Sequence, residues 1–534
     1  MKNICDELNL LSNAKGVVRV PLLVKGKIIA PPELSAAQIE SAFKSLPGDE
    51  TCAKLDNALL LREPVIDRET MKYTGDYIYQ VMARVNPMEL IEFDIEKLVG
   101  RLYALPFSEV LSYLKSLLDV FNDNRVLVEE ARELTRATAE HPDPYHDAAF
   151  AAFPLVLSPE TAQATVDTEL SIWGKPGREF LDGWVETPAR LFPGMASLMG
   201  QNLFKDEMPE GMKWEKAMIR AMPTRQLHIT AGNAPAIPVI SLLRAILTKA
   251  AAVIKSPYGA TIPGALVALA AAAAAPDHPI TQNLSIVYWP GGDSSIENVL
   301  FMPTAFDRIV VWGAPDAVAS VRERAKFTRT VCFNPRYGFS FIGNEAFQGE
   351  LRKVAIRASL DAMIWNQKAC IASFVQYVEG TDEQAELYAQ TLKDVLSKWD
   401  EFAPNFVPPA SEGIIKRMKR GKYMNASWHI NKKHDDFSSA VILIPDQFDM
   451  MDHPMARTVI VRRVDNLKDA FKYLHHAVST VGVYPEARRL ELRDSILARG
   501  VTNVLPLGQA ERMFGGMPHD GMMVLNDLVD WKNA

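Results

Sequence analysis

Cysteine is scarce in this chain. There are four in 534 residues, Cys5, Cys52, Cys332 and Cys370. They lie far apart and form no Cys-x-x-Cys pair, so neither a disulfide framework nor a zinc site is suggested, and no metal is expected. Long unbroken apolar runs are missing as well. The most apolar stretch, "PAIPVISLLRAILTKAAAVIKSP", is interrupted by Arg244 and Lys249, so the chain is not expected to be an integral membrane protein. The opening "MKNICDELNLLSNAKG" places Asp6 and Glu7 where a secretory signal needs an apolar core. A reducing cytoplasm is the expected compartment. Basic excess is absent too: the net charge is −7, which argues against nucleic acid as the main partner. No Gly-x-Gly-x-x-Gly follows a strand, so the common dinucleotide fingerprint is missing. No repeat appears at solenoid periods.

What is present is an ordinary soluble composition, 48% hydrophobic and 23% charged, on a chain long enough for two or three domains. "GVVRVPLLVKGKIIAPP" reads as a β-hairpin turning at Lys25-Gly26. From about Ala36 to Glu140 the spacing predicts mainly helix. "EHPDPYHD" predicts a surface loop with solvated histidines. The pattern then changes. "RQLHITAGNAP", "AAVIKSP", "LSIVYWPGG" and "FDRIVVWGAP" predict strands, separated by helices over 236–250, 262–275, 293–301 and 315–326. Short apolar strands alternating with helices give a parallel sheet covered on both faces. Ligands of such sheets bind at the carboxyl ends of the strands. Beyond a linker at "FNPRYG" a second α/β unit holds a helix over 347–363, a loop with Cys370, and the strands "FVQYVEG", "SAVILIP" and "TVIVRRV".

Cys370 stands out within "IWNQKACIAS". Amides and a lysine precede it and small residues follow, which suits a turn beside a cleft better than a core position. A loop rich in backbone N–H groups can lower a thiol pKa and make the thiolate available. The alternative is a small buried apolar residue. Cys332, in the apolar "TRTVCFN", reads as strand filler. Asn233 in "GNAP" reads from the residues alone as a turn former, and Lys255 as a lysine reaching out from a strand end. Gly292, Gly313 and Ala314 allow close approach of backbone at strand ends, as plain turn residues would too.

"HITAGNAP", "VIKSP", "YWPGGD", "RIVVWGAPDAV" and "WNQKACIAS", in this order, resemble the aldehyde dehydrogenase superfamily. "AGNAP", "NQKAC", "HPMART" and the late "HDG" resemble its LuxC-type acyl-CoA reductases. The resemblance runs from about Met222 to Trp531. It implies an α/β fold with a Rossmann-type dinucleotide-binding domain that works without Gly-x-Gly-x-x-Gly, and an α/β catalytic domain. The domains expected are an N-terminal region over 1–220, the cofactor core over 221–340, the cysteine domain over 341–500 and a C-terminal segment over 501–534.

By the same resemblance Cys370 is the nucleophile and Asn233 the oxyanion donor. Lys255, Ser256, Tyr258, Gly292, Gly313, Ala314 and His453 hold the cofactor. Tyr258 stands where NAD-preferring members carry a glutamate, which points to NADPH. His453 stands where the family has a glutamate for the nicotinamide ribose. The slot for the hydrolytic general base falls at Phe333 or Asn334, within "VCFNPRYGFSFIGN", which has no Asp or Glu. The reaction implied is reduction of an acyl thioester to an aldehyde, with CoA leaving or with the acyl group arriving on a partner protein. A homo-oligomer is expected. An aldehyde dehydrogenase and a non-catalytic scaffold of the same fold are the rivals. The sequence assigns no role to His519, Asp520 or Gly521.

Overall fold

Five short strands, most of whose residues are buried, form the parallel centre of the first large sheet. In spatial order they are Arg329–Phe333, Arg308–Trp312, Arg225–Ile229, Ala251–Lys255 and Leu284–Val287. The chain order reverses between Arg225–Ile229 and Arg308–Trp312, so the crevice at their carboxyl ends is the topological switch point. The computed structural model describes residues 16–534 except 45, 49, 189–194, 205–206, 208–216, 234–235, 434 and 513–514. Cys5 and the Asp6–Glu7 pair lie outside the described residues, as do Ala234 and Pro235.

The expected helices are present as Ile237–Leu247, Thr261–Ala274, Ser294–Leu300 and Pro315–Arg324. The alanine-rich second one is buried on all sides along Thr261–Ala271, as an all-apolar helix must be. It lies between the sheet and the helices Phe107–Asp123 and Arg125–Arg136. Gly264 permits the closest approach: a Cβ there would sit 2.1 Å from the Ser256 hydroxyl.

The N-terminal hairpin forms as read, Leu22–Val24 against Lys27–Ile29, with Lys25 at φ 45° and Gly26 at φ 78°. Two positive φ values make the turn that matches strand twist. The hairpin is part of this same sheet, because Leu23 pairs with Ile286 on the strand Leu284–Val287. The helical reading of 36–140 fails over its first half. Ala58–Asp67 and Lys72–Ala83 form a long antiparallel ladder, in which Val65, Ile66, Tyr73, Thr74, Tyr77, Ile78, Tyr79 and Val81 supply β-branched and aromatic side chains. "EHPDPYHD" is not a solvated loop either. Its prolines start the helix Asp143–Val156, and both histidines are buried.

The second sheet has the order Ser427–Lys433, Asp436–Leu443, Thr458–Val464, Ser373–Glu379, Tyr337–Ile342, Val478–Tyr484 and Asn503–Pro506. All neighbours are parallel except the first pair, a hairpin. Separate apolar clusters pack its two faces. After Asn503–Pro506 the chain returns to the cofactor side. Asp530–Asn533 pairs with Met218–Met222. Thr224 and Gln226 donate to the Leu528 carbonyl at 2.5 and 3.1 Å, and Arg308 donates to Val529 O at 3.0 Å. The C-terminal segment therefore crosses from one unit to the other. No helix among the described residues is long and apolar enough to cross a membrane.

Candidate active site

Cys370 lies in the connection between the helix Leu351–Ala362 and the strand Ser373–Glu379. Ahead of it Trp365, Asn366 and Gln367 stand at φ 49°, 54° and 66°. Left-handed backbone costs about 1–2 kcal/mol for each non-glycine residue and persists only where the surroundings enforce it. The enforcing element is a second left-handed run, Met455, Ala456 and Arg457, at φ 58°, 52° and 56°. Arg457 Nε donates to Asn366 Oδ1 at 2.6 Å. Gln367 Nε2 donates to Thr458 O at 2.6 Å, and Thr458 N donates back to Gln367 Oε1 at 3.1 Å. Arg457 is fully buried and pairs with Asp400 at 2.9 Å, whose other oxygen accepts from Ser438 and Ser439. "NQKAC" and "HPMART" are thus the two halves of one clasp.

The far side of Cys370 is pinned as well. Ser479 Oγ donates to Cys370 O at 2.6 Å and Gly338 N to Ala372 O at 2.7 Å. Gly338 has to be glycine, since a Cβ would lie 2.4 Å from Ile371 O.

Asn233, at the end of the strand Arg225–Ile229, reaches the same loop. Its Nδ2 donates to Lys368 O at 3.2 Å, two residues before the thiol. The amide nitrogen carries a second N–H. Glu140 and His141 brace the junction from the N-terminal region. Glu140 pairs with Lys368. His141 Nε2 donates to Asn233 O at 2.7 Å, and its ring meets Trp365 edge-on at 6.2 Å. Burial takes His141 down to about 3, so the ring is neutral and carries its proton on Nε2.

The thiol is not activated in this structure. Burial pushes Cys370 up to about 11, Asp520 adds to the rise, and the Cys370 backbone N–H and Arg336 oppose it. This reverses the expectation of a lowered thiol, because desolvation outweighs the loop dipoles. Phe333, at the base slot, stacks on Trp312 at 3.8 Å with His519 edge-on at 5.0 Å. Arg244 lies over both rings and donates to His519 Nδ1 at 3.1 Å. The carboxylate whose field reaches the thiol comes instead from Asp520, far along the chain.

At the cofactor crevice the helices Ile237–Leu247 and Pro315–Arg324 both start without a side-chain cap, after Ala236 and Ala314. They flank the switch point with free amides, an arrangement that suits a pyrophosphate. Gly292 has φ 82° and its amide meets Glu297 Oε1 at 3.1 Å. A Cβ on Gly313 would lie 3.2 Å from Ala317 Cβ. Lys255 is buried with Nζ 5.3 and 5.5 Å from the Tyr288 and Trp289 rings, and burial lowers it to about 8. Tyr258 is 40% exposed and donates to Arg62 O at 3.1 Å. These residues fit a dinucleotide.

Two of the expected residues do not face the crevice. Ser256 is buried under Gly264, its amide on Val287 O at 2.8 Å. His453 is buried against Phe374 at 4.6 Å and Phe448 at 6.0 Å, with Nδ1 taken by Met455 N. A ribose ligand needs an open face, and this ring has none. The sequence shows no carboxylate near Tyr258, yet the fold brings Glu63 to Gly259 N at 3.1 Å. Both Glu63 oxygens are engaged, the second by Thr138 at 2.7 Å. Among the described residues no group of three or more His, Cys, Asp or Glu side chains could hold a metal ion.

The architecture is that of the aldehyde dehydrogenases. It matches aldehyde dehydrogenase 21 from Physcomitrella patens with a TM-score of 0.69 at 12% identity, over 96% of this chain and 97% of that one. It matches NADP-dependent glyceraldehyde-3-phosphate dehydrogenase from Bacillus halodurans with a TM-score of 0.65 at 14% identity, over 96% and 98%. Within that class the acyl-CoA reductase (LuxC) family matches residues 196–531, and the chain belongs to this family. Long-chain acyl-protein thioester reductase from Photorhabdus laumondii is 27% identical over 61% of this chain and 66% of its own length. The protein of that name from Vibrio harveyi is 25% identical over 62% and 68%. The match therefore spans just under two thirds of the first relative.

Two outcomes are expected. Arg457→Met leaves Asp400 buried without its cation, which costs about 3–5 kcal/mol. Thermal unfolding should shift well down, and an unchanged midpoint would contradict the clasp. Iodoacetamide reacts with thiolate, and a thiol at about 11 is ionised in roughly one molecule in ten thousand at neutral pH. Cys370 should be alkylated roughly a hundredfold more slowly than a free cysteine, accelerating about tenfold per pH unit as base ionises it. Free-thiol speed at neutral pH would show that the thiol is not desolvated.

Proposed function

We propose that the protein reduces an acyl thioester to an aldehyde through an acyl-enzyme on Cys370. The observation that supports this most is the junction of Asn233 with the Cys370 loop, an amide donor held two residues from a thiol. Cys370 Sγ attacks the acyl carbon. The free N–H of Asn233 and the Cys370 backbone N–H receive the oxyanion, and such a donor is worth about 3–4 kcal/mol. Collapse expels the thiol of CoA, or of a protein that carries the acyl group. The relatives' activity, on long-chain acyl-protein thioesters, favours the protein-borne donor. NADPH, held by Lys255, Tyr258, Gly292, Gly313 and Ala314, would supply hydride to the acyl carbon. Ser256 and His453 support the packing in this reading.

The aromatic stack at Phe333, one of the two residues where the resemblance puts the hydrolytic base, favours this reading over an acid-forming dehydrogenase. Water needs a base to attack the acyl-enzyme at neutral pH, and at that slot neither a phenyl ring packed on Trp312 nor the Asn334 amide offers one. With acyl-CoA and NADPH the product should be aldehyde, and aldehyde with NADP should give acyl-CoA only when CoA is supplied. Rapid free-acid formation without CoA would move the protein into the dehydrogenase class. Cys370→Ala should abolish both directions while leaving NADPH binding within a few fold, and Cys332→Ala should keep most activity. A scaffold would tolerate the loss of Cys370.

The preference for NADPH is a separate point. A 2′-phosphate carries nearly two negative charges. Lys255 and Lys54 lie on this edge, Lys54 at 2.7 Å from Asp293, while Glu63 is occupied. Tyr258→Glu should move the ratio of kcat/KM toward NADH. Wild-type efficiency with NADH equal to that with NADPH would refute the preference.

A further inference from the structure

Glu140 and His141 sit in a turn that one arginine holds rigid. Arg68 Nη1 and Nη2 donate to Ala139 O and His141 O, each at 2.5 Å, and Arg68 Nε donates to Asp143 Oδ1 at 2.9 Å. The long antiparallel ladder adds two more ties. Ile66 N bonds Ala137 O at 2.9 Å, and Thr138 Oγ1 donates to Glu63 at 2.7 Å. The ladder is seated in turn on the second α/β unit, where Ile66 and Met71 pack with Phe406. The turn is therefore a fixed reference point. It lies outside residues 196–531, the stretch that matches the family.

From this turn, contacts reach two different loops of the site. Glu140 pairs with Lys368 of the thiol loop, and His141 Nε2 donates to Asn233 O at 2.7 Å. The His141 ring also meets the Trp365 ring of the thiol loop edge-on at 6.2 Å. The chain that leads into Asn233 is pinned as far as Gly232. Thr230 Oγ1 donates to Lys255 O at 2.6 Å, and a Cβ on Gly232 would lie 2.3 Å from Tyr258 O. Beyond Gly232, His141 holds the main chain of Asn233, and the Asn233 side chain spans to Lys368 O at 3.2 Å. The tautomer follows from the surroundings. His141 Nδ1 is buried with no hydrogen-bond partner among the described residues. A proton there would be stranded, whereas a proton on Nε2 meets a carbonyl. Burial takes the ring to about 3, so it stays neutral with that one donor.

We propose that His141, with Glu140 beside it, is a positioning residue for acyl transfer, which holds the Asn233 amide in register with the Cys370 loop. The proposal rests on the acyl-enzyme reading above, with Asn233 as the oxyanion donor. Such a donor is effective when it is aimed before charge develops on the acyl oxygen. Asn233 is exposed, on a loop of the first large sheet, while Cys370 belongs to a loop of the second. The direct bond between the two loops, at 3.2 Å, is at the long end of the range for an N–H donor. Held by that bond alone, the amide could swing, and a small displacement of a reacting or stabilising group is costly. The contacts of His141 with Asn233 and of Glu140 with Lys368 fix both loops to one rigid turn. His141 acts through Asn233, and the N-terminal region thereby completes the oxyanion site.

Two substitutions separate the hydrogen bond from the packing. His141→Phe keeps a ring against Trp365 and loses the donor, and His141→Gln loses the ring and keeps a side-chain N–H. Each is made in the full-length protein, alone and together with Asn233→Ala. Acylation of Cys370 by octanoyl-CoA, without nicotinamide, is followed by intact mass over a range of octanoyl-CoA concentrations. Iodoacetamide alkylation, which builds no oxyanion, is followed in parallel. Asn233→Ala should lower the limiting acylation rate about a hundredfold. His141→Phe should lower it about tenfold, with the half-saturating octanoyl-CoA concentration within about twofold, and His141→Gln should restore most of the rate. Alkylation should stay at the wild-type rate in both His141 variants. With Asn233→Ala already in place, His141→Phe should cost nothing further, as two residues that act as one unit require. An equal loss in both backgrounds, a matching loss of alkylation, or His141→Gln as slow as His141→Phe overturns the proposal. Should His141→Phe fail to fold, Glu140→Gln, on a side chain 41% exposed, serves instead. It should cost about threefold and nothing in the Asn233→Ala background, and no loss, or the same loss in both, counts against the proposal. Asn233→Ala at the wild-type rate would overturn the oxyanion reading. A wild type that octanoyl-CoA does not acylate at Cys370 would overturn the acyl-enzyme reading, and either result takes the proposal with it.

Discussion

The buried contact of Arg457 with Asn366 and Asp400 is the constraint on which the site depends. Six consecutive-run residues, Trp365–Gln367 and Met455–Arg457, hold left-handed backbone that none of them would adopt alone. Each run is enforced by the other, through Arg457, Gln367 and Thr458. The Arg457–Asp400 pair, lying out of water, anchors both to the catalytic domain. Removing one partner of such a pair strands a charge, so the clasp is stiff. What it fixes is the direction in which the chain leaves Gln367, and hence where Cys370 stands.

From that fixed loop the rest of the site is assembled by long-range contacts. Asn233 comes from the loop after the strand Arg225–Ile229, Glu140 and His141 from the N-terminal region, and Asp520 from the C-terminal crossing. Four stretches, each at least 92 residues from the next in sequence, thus meet around the Cys370 loop. Their convergence dries the site, which raises the thiol and strengthens every dipole aimed at it. A resting thiol that is protonated and a transition state rich in donors are compatible. The first limits stray chemistry on Cys370, and the second is felt only when charge develops on an acyl oxygen.

The parallel sheet was legible because its short, mostly apolar strands alternate with helices and end in turn-forming loops. So was the hairpin at Lys25-Gly26. The ladder Ala58–Asp67 with Lys72–Ala83 was not, because its strand side chains are mixed with charges that mimic helical spacing. Cys370 and Asn233 were found through local patterns and do meet. His453 was read as a ribose ligand from the resemblance alone, and the fold buries its ring between two phenylalanines. Asp520 could have been read as an Asp-Gly turn but not as a partner of Arg336. Its position depends on Arg336 and on the return of the chain, which no local pattern encodes. The buried His141 was hidden by the two prolines that follow it, which read as a loop and in fact begin a helix.

The most direct measurement is mapping the acyl group on the intact wild-type protein. After mixing with octanoyl-CoA in the absence of nicotinamide, digestion and mass spectrometry should find the octanoyl group on the peptide that contains Cys370. Addition of NADPH should then discharge it as octanal. An octanoyl group on Cys332, or release as octanoic acid on adding NADPH, would contradict a reductase that works through Cys370.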